Sequence, residues 1–120
     1  MNATLWPFYI VRSGNNGHID MFGTLTFNGT GTPSISGSEL SVSRTTTGVY
    51  KITIPRIYAN LRHVNASFLA ASGKEDLLIN VVSYTASTRA IFINVFEKSA
   101  SALVDPSSSN SAYIELSLQD

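Results

Sequence analysis

The sequence predicts an all-β protein, a β-sandwich of jelly-roll-like character with about seven to eight short antiparallel strands and an N-terminal arm or extra strands. Three observations lead to this fold class. Short runs of alternating apolar and polar residues recur, and turn residues separate them about every 8 to 12 positions. These runs are rich in the β-branched and aromatic residues that favour strands. No segment shows the apolar spacing of a capped helix over three turns.

The first two strands of the sandwich are predicted over 39–45 and 49–54, where the sequence reads ELSVSRT and VYKITI. Gly48 supplies the turn between them, and Pro55 ends the second strand because proline cannot donate to a ladder. Since side chains alternate across a strand, one set of these residues faces the core. The predicted core residues here are Leu40, Val42, Tyr50, Ile52 and Ile54.

An irregular crossover is predicted next, over 56–61, with its apolar side chains still directed inward. These side chains are Ile57, Tyr58 and Leu61. The strand that follows, HVNASFLAA (63–71), places Val64 and Phe68 in the core by the same alternation. Residues 72–76, SGKED, are predicted to form an exposed turn.

Two nearly continuous apolar runs follow, LLINVVSYT (77–85) and AIFINVFEK (90–98). Such runs are typical of strands covered on both faces, here by the opposite sheet and by a further surface. A loop over 99–111 then leads to the last strand, AYIELSLQ (112–119). The predicted core residues of these three strands are Ile79, Val81, Ile91, Ile93, Val95, Ile114 and Leu116.

The chain divides into three parts by composition. Residues 1–27 are predicted to be an N-terminal arm or a set of docking strands. Residues 28–38, NGTGTPSISGS, have Gly, Pro, Ser or Thr at nearly every position and are predicted to form a linker loop. The β-sandwich domain is then predicted over 39–120.

An aromatic cluster marks the N-terminal part, where Trp6, Phe8 and Tyr9 surround Pro7 and precede Ile10. Aromatic side chains anchor protein interfaces, and they also stack on sugars. Three interpretations stay open: a strand packed into its own domain, an arm lying across a neighbouring subunit, and a sugar-binding platform. We predict Trp6, Phe8, Tyr9 and Ile10 as interface anchors.

The composition excludes several classes of function. Eight basic and eight acidic residues cancel and are scattered singly, so neither nucleic acid nor an anionic membrane is an expected partner. Charged residues make up 13% of the chain, which suits β surfaces and surfaces buried against another protein. Cysteine is absent, which excludes disulfides, thiolate catalysis and cysteine-ligated zinc, and favours synthesis in a reducing cytosol.

The sequence also predicts no targeting or membrane segment. Residues 1–12 lack the basic start and the apolar length of a signal peptide. No stretch approaches the ~20 apolar residues of a membrane helix. We therefore expect a soluble protein that is not exported by a cleaved signal.

The candidates for chemistry are few. His18 and Asp20 share a strand face and could hold one edge of a metal, but no third ligand is signalled nearby, which favours a solvated face or an interface contact. His63 begins a strand, the acidic pair 75–76 lies in an exposed turn, and Asp105 alone is too little for a calcium site. No nucleophile elbow or phosphate loop is present in the sequence. We expect no catalytic residue, no metal and no cofactor, hence a non-enzymatic protein.

Residues 38–72 resemble small structural proteins of tailed bacteriophages, particularly capsid decoration (cement) proteins. The resemblance depends on the order of short motifs: a Gly/Ser-rich stretch, a short strand, a Gly-Val-Tyr opening an alternating strand, a proline-led crossover and a Val-x-Ala strand. These motifs are Arg44-Thr45, Gly48-Val49-Tyr50, Pro55, Tyr58, Leu61 and Val64-Asn65-Ala66. Residues 93–119 also fit, with a strand, an Asp-bearing loop and a final strand.

The resemblance implies a homo-oligomer, a trimer in the first instance, on the outer surface of an icosahedral head. There it would clamp neighbouring major capsid proteins, so the expected partners are the major capsid protein and the chain itself. The expected location is the virion surface after synthesis in the host cytoplasm. Under this interpretation Trp6, Phe8, Tyr9 and Ile10 are capsid or subunit anchors. The alternative is a phage fibre or receptor-binding β-module that recognises glycans of the host surface.

Overall fold

The computed structural model describes residues 10–11 (as backbone), 19–37, 39–69 and 76–119. Two antiparallel sheets of five strands each face one another across a shared hydrophobic core. This arrangement confirms the predicted all-β class and is that of a β-sandwich; the jelly-roll subclass stays a prediction. Within the described residues the one helical element is a single 3₁₀ turn, Ala86–Thr88.

Sheet A contains both the first and the last strand of the described chain. Its strands are β1 (Ile10–Val11), β2 (Ile19–Thr26), β3 (Ser34–Gly37), β6 (Asn60–Leu69) and β10 (Ser111–Gln119). The spatial order is β1-β2-β10-β6, and β3 also pairs with β2. The β10 strand is therefore central, with β2 and β6 as its two neighbours.

Sheet B is built mainly from two hairpins. Its strands are β4 (Ser41–Thr46), β5 (Val49–Thr53), β7 (Leu77–Thr85), β8 (Ala90–Glu97) and β9 (Ala102–Leu103). The spatial order is β4-β5-β8-β7, and β9 pairs with β8. The described residues thus form ten strands where the sequence predicts seven to eight. The additional strands are β1, β3 and β9, which are too short to show an alternation.

The sandwich begins earlier in the sequence than position 39, where the sequence places its start. The β2 strand, assigned by sequence to the arm, pairs with β10 from Ile19 to Thr26. Its side chains Met21 and Leu25 are fully buried. The β3 strand lies within the predicted linker and pairs with the end of β2. Gly23 permits this pairing, because a Cβ there would lie 2.7 Å from the Ser36 carbonyl oxygen.

The core contains the side chains that the alternation of apolar and polar residues predicts, together with several others. Nine of the fourteen predicted core residues are buried: Leu40, Tyr50, Ile52, Ile54, Ile91, Ile93, Val95, Ile114 and Leu116. The other five are partly buried and pack against them: Val42, Val64, Phe68, Ile79 and Val81. Phe27 joins this core by edge contact with Tyr50, at 5.2 Å between ring centroids.

The crossover after β5 differs from the prediction at one residue. Ile57, expected to point inward, is 57% exposed, whereas Tyr58 is buried and Leu61 packs against the core. Strand alternation does not apply to the irregular segment 54–59, so neighbouring side chains there need not follow it.

The two outer faces of the sandwich look in opposite directions. The strands β3 and β4 contact each other on one side, and β6 and β7 contact each other on the other side. Because the inner faces are used by the core, a binding surface on these strands must lie on an outer face or along an edge.

Candidate functional surfaces

One carboxylate joins the β4–β5 hairpin to the loop after β9. Asp105 Oδ1 accepts hydrogen bonds from Arg44 Nε at 3.0 Å, from the Gly48 backbone N–H at 2.9 Å and from the Tyr50 hydroxyl at 3.1 Å. Asp105 Oδ2 accepts from Arg44 Nη2 at 2.8 Å. We call these four residues, Arg44, Gly48, Tyr50 and Asp105, the Asp105 cluster.

Electrostatics in the Asp105 cluster are those of a satisfied structural contact. Hydrogen bonding from Arg44 lowers the pKa of Asp105, and the bonds from Gly48 and Tyr50 act in the same direction. Burial raises the pKa of Tyr50, as does its bond to Asp105. Three of the four hydrogen bonds end on Oδ1 and one ends on Oδ2. The cluster therefore ties the β4–β5 hairpin to the loop after β9.

Sequence reasoning noted Arg44, Gly48, Tyr50 and Asp105 separately but did not join them. Sixty-one positions separate Arg44 from Asp105. The local sequence pattern contains no signal for such a distant pair, because the pairing depends on which strands are neighbours in the fold. The β4–β5 hairpin and the Asp-bearing loop are thus in direct contact.

The outer face of sheet B carries apolar side chains together with uncharged polar ones, among them the cross-strand pair Asn80 and Asn94. Leu78 of β7, Phe96 of β8 and Leu103 of β9 stand in one cross-strand row by register. Leu78 is 40% exposed and Leu103 is 43% exposed. Val82, at the irregularity in the β7–β8 register, is 54% exposed. We call Leu78, Val82, Phe92, Phe96 and Leu103 the apolar face.

The apolar face accounts for the continuous hydrophobic runs 77–85 and 90–98. The inward residues of these runs pack in the core, while Phe92 and Phe96 point outward and are half-buried. Lys51 of β5, opposite Phe92, is the one formally charged residue on the outward side of the described strands of sheet B.

The outer face of sheet A has a different chemistry. It carries a groove of about 500 Å³ lined by Asp20, Phe22, His63, Tyr113, Glu115, Leu116 and Ser117. Glu115 of β10 lies beside Phe22 and Asn65, and Ser117 lies beside Asp20 and His63. Tyr113 is 43% exposed.

The groove does not have the geometry of a serine hydrolase, although it contains Ser, His and Asp. In such a site the imidazole stands between the serine and the carboxylate. Here Ser117 lies on the middle strand, with Asp20 and His63 on the strands to either side. Two strand spacings, about 10 Å, therefore separate the backbones of Asp20 and His63.

The predicted metal and acidic candidates are placed only in part. His18 and position 75 lie outside the described residues, whereas Asp20 lies in the groove and Asp76 accepts hydrogen bonds from Ser99. Within the described ranges no three His, Asp or Glu side chains are grouped to hold a metal ion.

The predicted interface anchors fall mainly beyond the described residues. Trp6, Phe8 and Tyr9 lie outside them. Ile10 belongs to β1, where its backbone is opposite Asp20 of β2. The backbone thus places Ile10 and Val11 along the edge of sheet A.

Comparison with known proteins adds no relative: the chain matches no protein-family model, no curated protein and no solved structure. In the part of the chain that the structure describes, no helix has the length and hydrophobicity needed to cross a membrane. The two outer faces of the sandwich are the candidate binding surfaces.

Proposed function

We propose that this protein is a non-enzymatic virion structural protein, a capsid decoration protein that binds the outside of a phage head and stabilises the lattice of major capsid proteins. The observation that carries the proposal is the apolar face of sheet B. An apolar patch on a folded domain marks a surface that binds another protein. The order of motifs along 38–72 supplies the class of partner.

The composition of the apolar face defines the chemistry of its partner. Three large aliphatic side chains are 40% to 54% exposed there. Because Lys51 alone is charged, a strongly charged partner would lose hydration without gaining ion pairs. The partner surface is therefore apolar and uncharged, as at a contact between two protein sheets.

Capsid decoration also depends on many copies of the protein binding together and not on one tight contact between a single copy and the capsid. A symmetric lattice presents the same surface repeatedly, so a homo-oligomer binds several sites at once and gains avidity. Eight basic and eight acidic residues give the chain little net charge to oppose self-association. We place the subunit or capsid anchors at Trp6, Phe8, Tyr9 and Ile10, and the homotrimer is the expected assembly.

Binding to heads assembled from the major capsid protein of the same genome tests the proposal. The protein is expected to co-sediment with expanded heads and to raise their melting temperature. Replacing Leu78 and Leu103 together by serine is expected to weaken this binding at least about tenfold, since each exchange removes an apolar side chain worth about 1.5 kcal/mol or more when buried.

Tyr113→Ala provides the matched control, because Tyr113 and Leu103 are equally exposed, at 43%, on opposite faces. It is expected to leave binding to heads unchanged. The proposal fails if the wild-type protein does not bind heads. The assignment of the apolar face fails if the double serine variant binds as well as the wild type.

A further inference from the structure

The groove on the outer face of sheet A is separate from the apolar face and differs from it in chemistry. It combines an exposed aromatic ring with carboxylate, imidazole and hydroxyl groups. We propose that this groove is a second binding site, for an uncharged oligosaccharide, centred on Tyr113, Glu115 and His63. The proposal goes beyond capsid binding and does not depend on it.

Tyr113 supplies the stacking surface. It stands on the central strand β10, and its cross-strand neighbours are Ser67 and Thr24, both of them small. No large neighbour in register therefore covers the ring, which is 43% exposed. The apolar face of a pyranose ring, lined with C–H groups, packs against the electron-rich face of such an aromatic ring.

Polar groups continue the site along the strand. Glu115 lies two residues after Tyr113 on the same face and is exposed. His63 lies one row further, beside Ser117 on the neighbouring strand, and is also exposed. Four residues of strand span about 14 Å, enough for a short oligosaccharide rather than a single sugar.

The chemistry of these groups fits sugar hydroxyls. A carboxylate accepts two hydroxyl protons at once, and imidazole can both donate and accept. The volume of about 500 Å³ lies within the range of small-molecule sites. A protein partner would need a broader apolar centre, which sheet B has and this groove lacks.

The charge of the groove selects against anionic ligands. The described residues of its lining include the carboxylates of Asp20 and Glu115, and none of those described residues is Lys or Arg. Sialylated or sulfated glycans, phosphates and nucleic acids would bring negative charge towards the exposed carboxylate of Glu115 at the centre of the groove. The ligand is therefore a neutral glycan.

The two faces look in opposite directions, and this gives the groove a place in the assembly. A subunit that binds the head through sheet B turns sheet A towards solvent. The same molecule would then display the groove on the particle surface. Binding of sugar to the isolated protein tests the groove alone, so failure of one proposal leaves the other standing.

The experiment uses the full chain on an array of neutral and anionic oligosaccharides, and titration calorimetry with each neutral oligosaccharide that binds. Tyr113→Ala is expected to weaken binding at least about tenfold, the loss expected for one buried aromatic contact. Tyr113→Phe retains the ring and loses only the hydroxyl group. Its affinity is expected to lie within about threefold of the wild type, a smaller change than the loss of a strong hydrogen bond would cause. Leu103→Ala, on the opposite face, is expected to bind as the wild type does.

Circular dichroism of each variant checks that the fold is retained, which the outward position of Tyr113 favours. Glu115→Gln provides a second variant if Tyr113→Ala does not fold, and it is expected to weaken binding because the amide accepts fewer hydroxyl protons. The proposal is overturned if no neutral oligosaccharide binds, if only anionic glycans bind, or if folded Tyr113→Ala binds as tightly as the wild type.

Discussion

Replacing Asp105 by alanine removes the acceptor of four hydrogen bonds at one point in the sandwich. The Asp105 side chain is only 9% exposed, so water cannot freely take its place. The Tyr50 side chain and the Gly48 backbone are buried and would lose their partner. The Arg44 side chain is 25% exposed and can turn towards solvent.

The size of the effect follows from the two buried donors. Each buried polar group left without a partner costs about 1–3 kcal/mol. Two such groups, with some relief from water entering the space, reduce the free energy of unfolding by about 2–4 kcal/mol. At about 4 °C per kcal/mol for a chain of this size, the melting temperature falls by about 8–16 °C.

A double-mutant cycle between Asp105 and Tyr50 tests the specific geometry. In the wild type, Tyr50→Phe removes one hydrogen bond to a carboxylate and is expected to cost about 1–2 kcal/mol, while the ring contact with Phe27 is kept. In Asp105→Ala the hydroxyl has already lost its acceptor. Tyr50→Phe is then expected to be neutral or stabilising, because it removes a stranded donor.

Urea unfolding followed by circular dichroism measures all four proteins, and the midpoints are compared at equal slopes. Strongly non-additive free energies are expected. Additive effects of the two substitutions would show that the hydroxyl and the carboxylate are not partners. A loss below about 1 kcal/mol for Asp105→Ala would show that the cluster is open to water.

Two further predictions concern pH and the N-terminal segment. The pKa of Asp105 is lower in the folded protein than in the unfolded chain, where it is near 4, so this carboxylate stabilises the fold above that pH and the stabilisation is lost as pH falls through the lower folded value. Asp105→Asn should therefore make the free energy of unfolding fall less steeply in acid. An acid profile identical to that of the wild type would contradict this. Replacing Trp6, Phe8 and Tyr9 by alanine should lower the mass measured by light scattering while the circular dichroism spectrum is kept; an unfolded variant would instead place these side chains in a core.

The alternation of apolar and polar residues was sufficient to predict the strands in which it is visible along the sequence itself. Ile52 and Ile114, for example, occur in runs where apolar and polar residues alternate, and both are buried. The β3 strand has no such run, since it consists of Ser, Ile, Ser and Gly. It forms because β2 provides a partner edge and Gly23 allows close approach. Pairing with a distant segment thus outweighs a composition typical of loops.

The two candidate surfaces differ in how far sequence could anticipate them. The continuous apolar runs 77–85 and 90–98 predict a second covered face, because one sheet face alone needs only alternate apolar residues. The groove brings together Asp20, His63 and Tyr113 from three strands. Its prediction requires the strand order β2-β10-β6, which depends on contacts between distant segments.

The Asp105 cluster also bears on the proposed docking surface, because Asp105 follows Leu103 by two residues. The Val104 N–H donates to the Val95 carbonyl oxygen at 3.0 Å, and the Val95 N–H donates to the Gly48 carbonyl oxygen at 2.8 Å. Gly48 allows this approach, since a Cβ there would lie 2.9 Å from the Cβ of Leu103. The strand β9 has only two residues, so its own ladder holds it weakly. The Asp105 cluster therefore holds Leu103 beside Phe96. In this way the β4–β5 hairpin contributes to the apolar face, because it positions Leu103, which lies more than fifty positions away in the sequence.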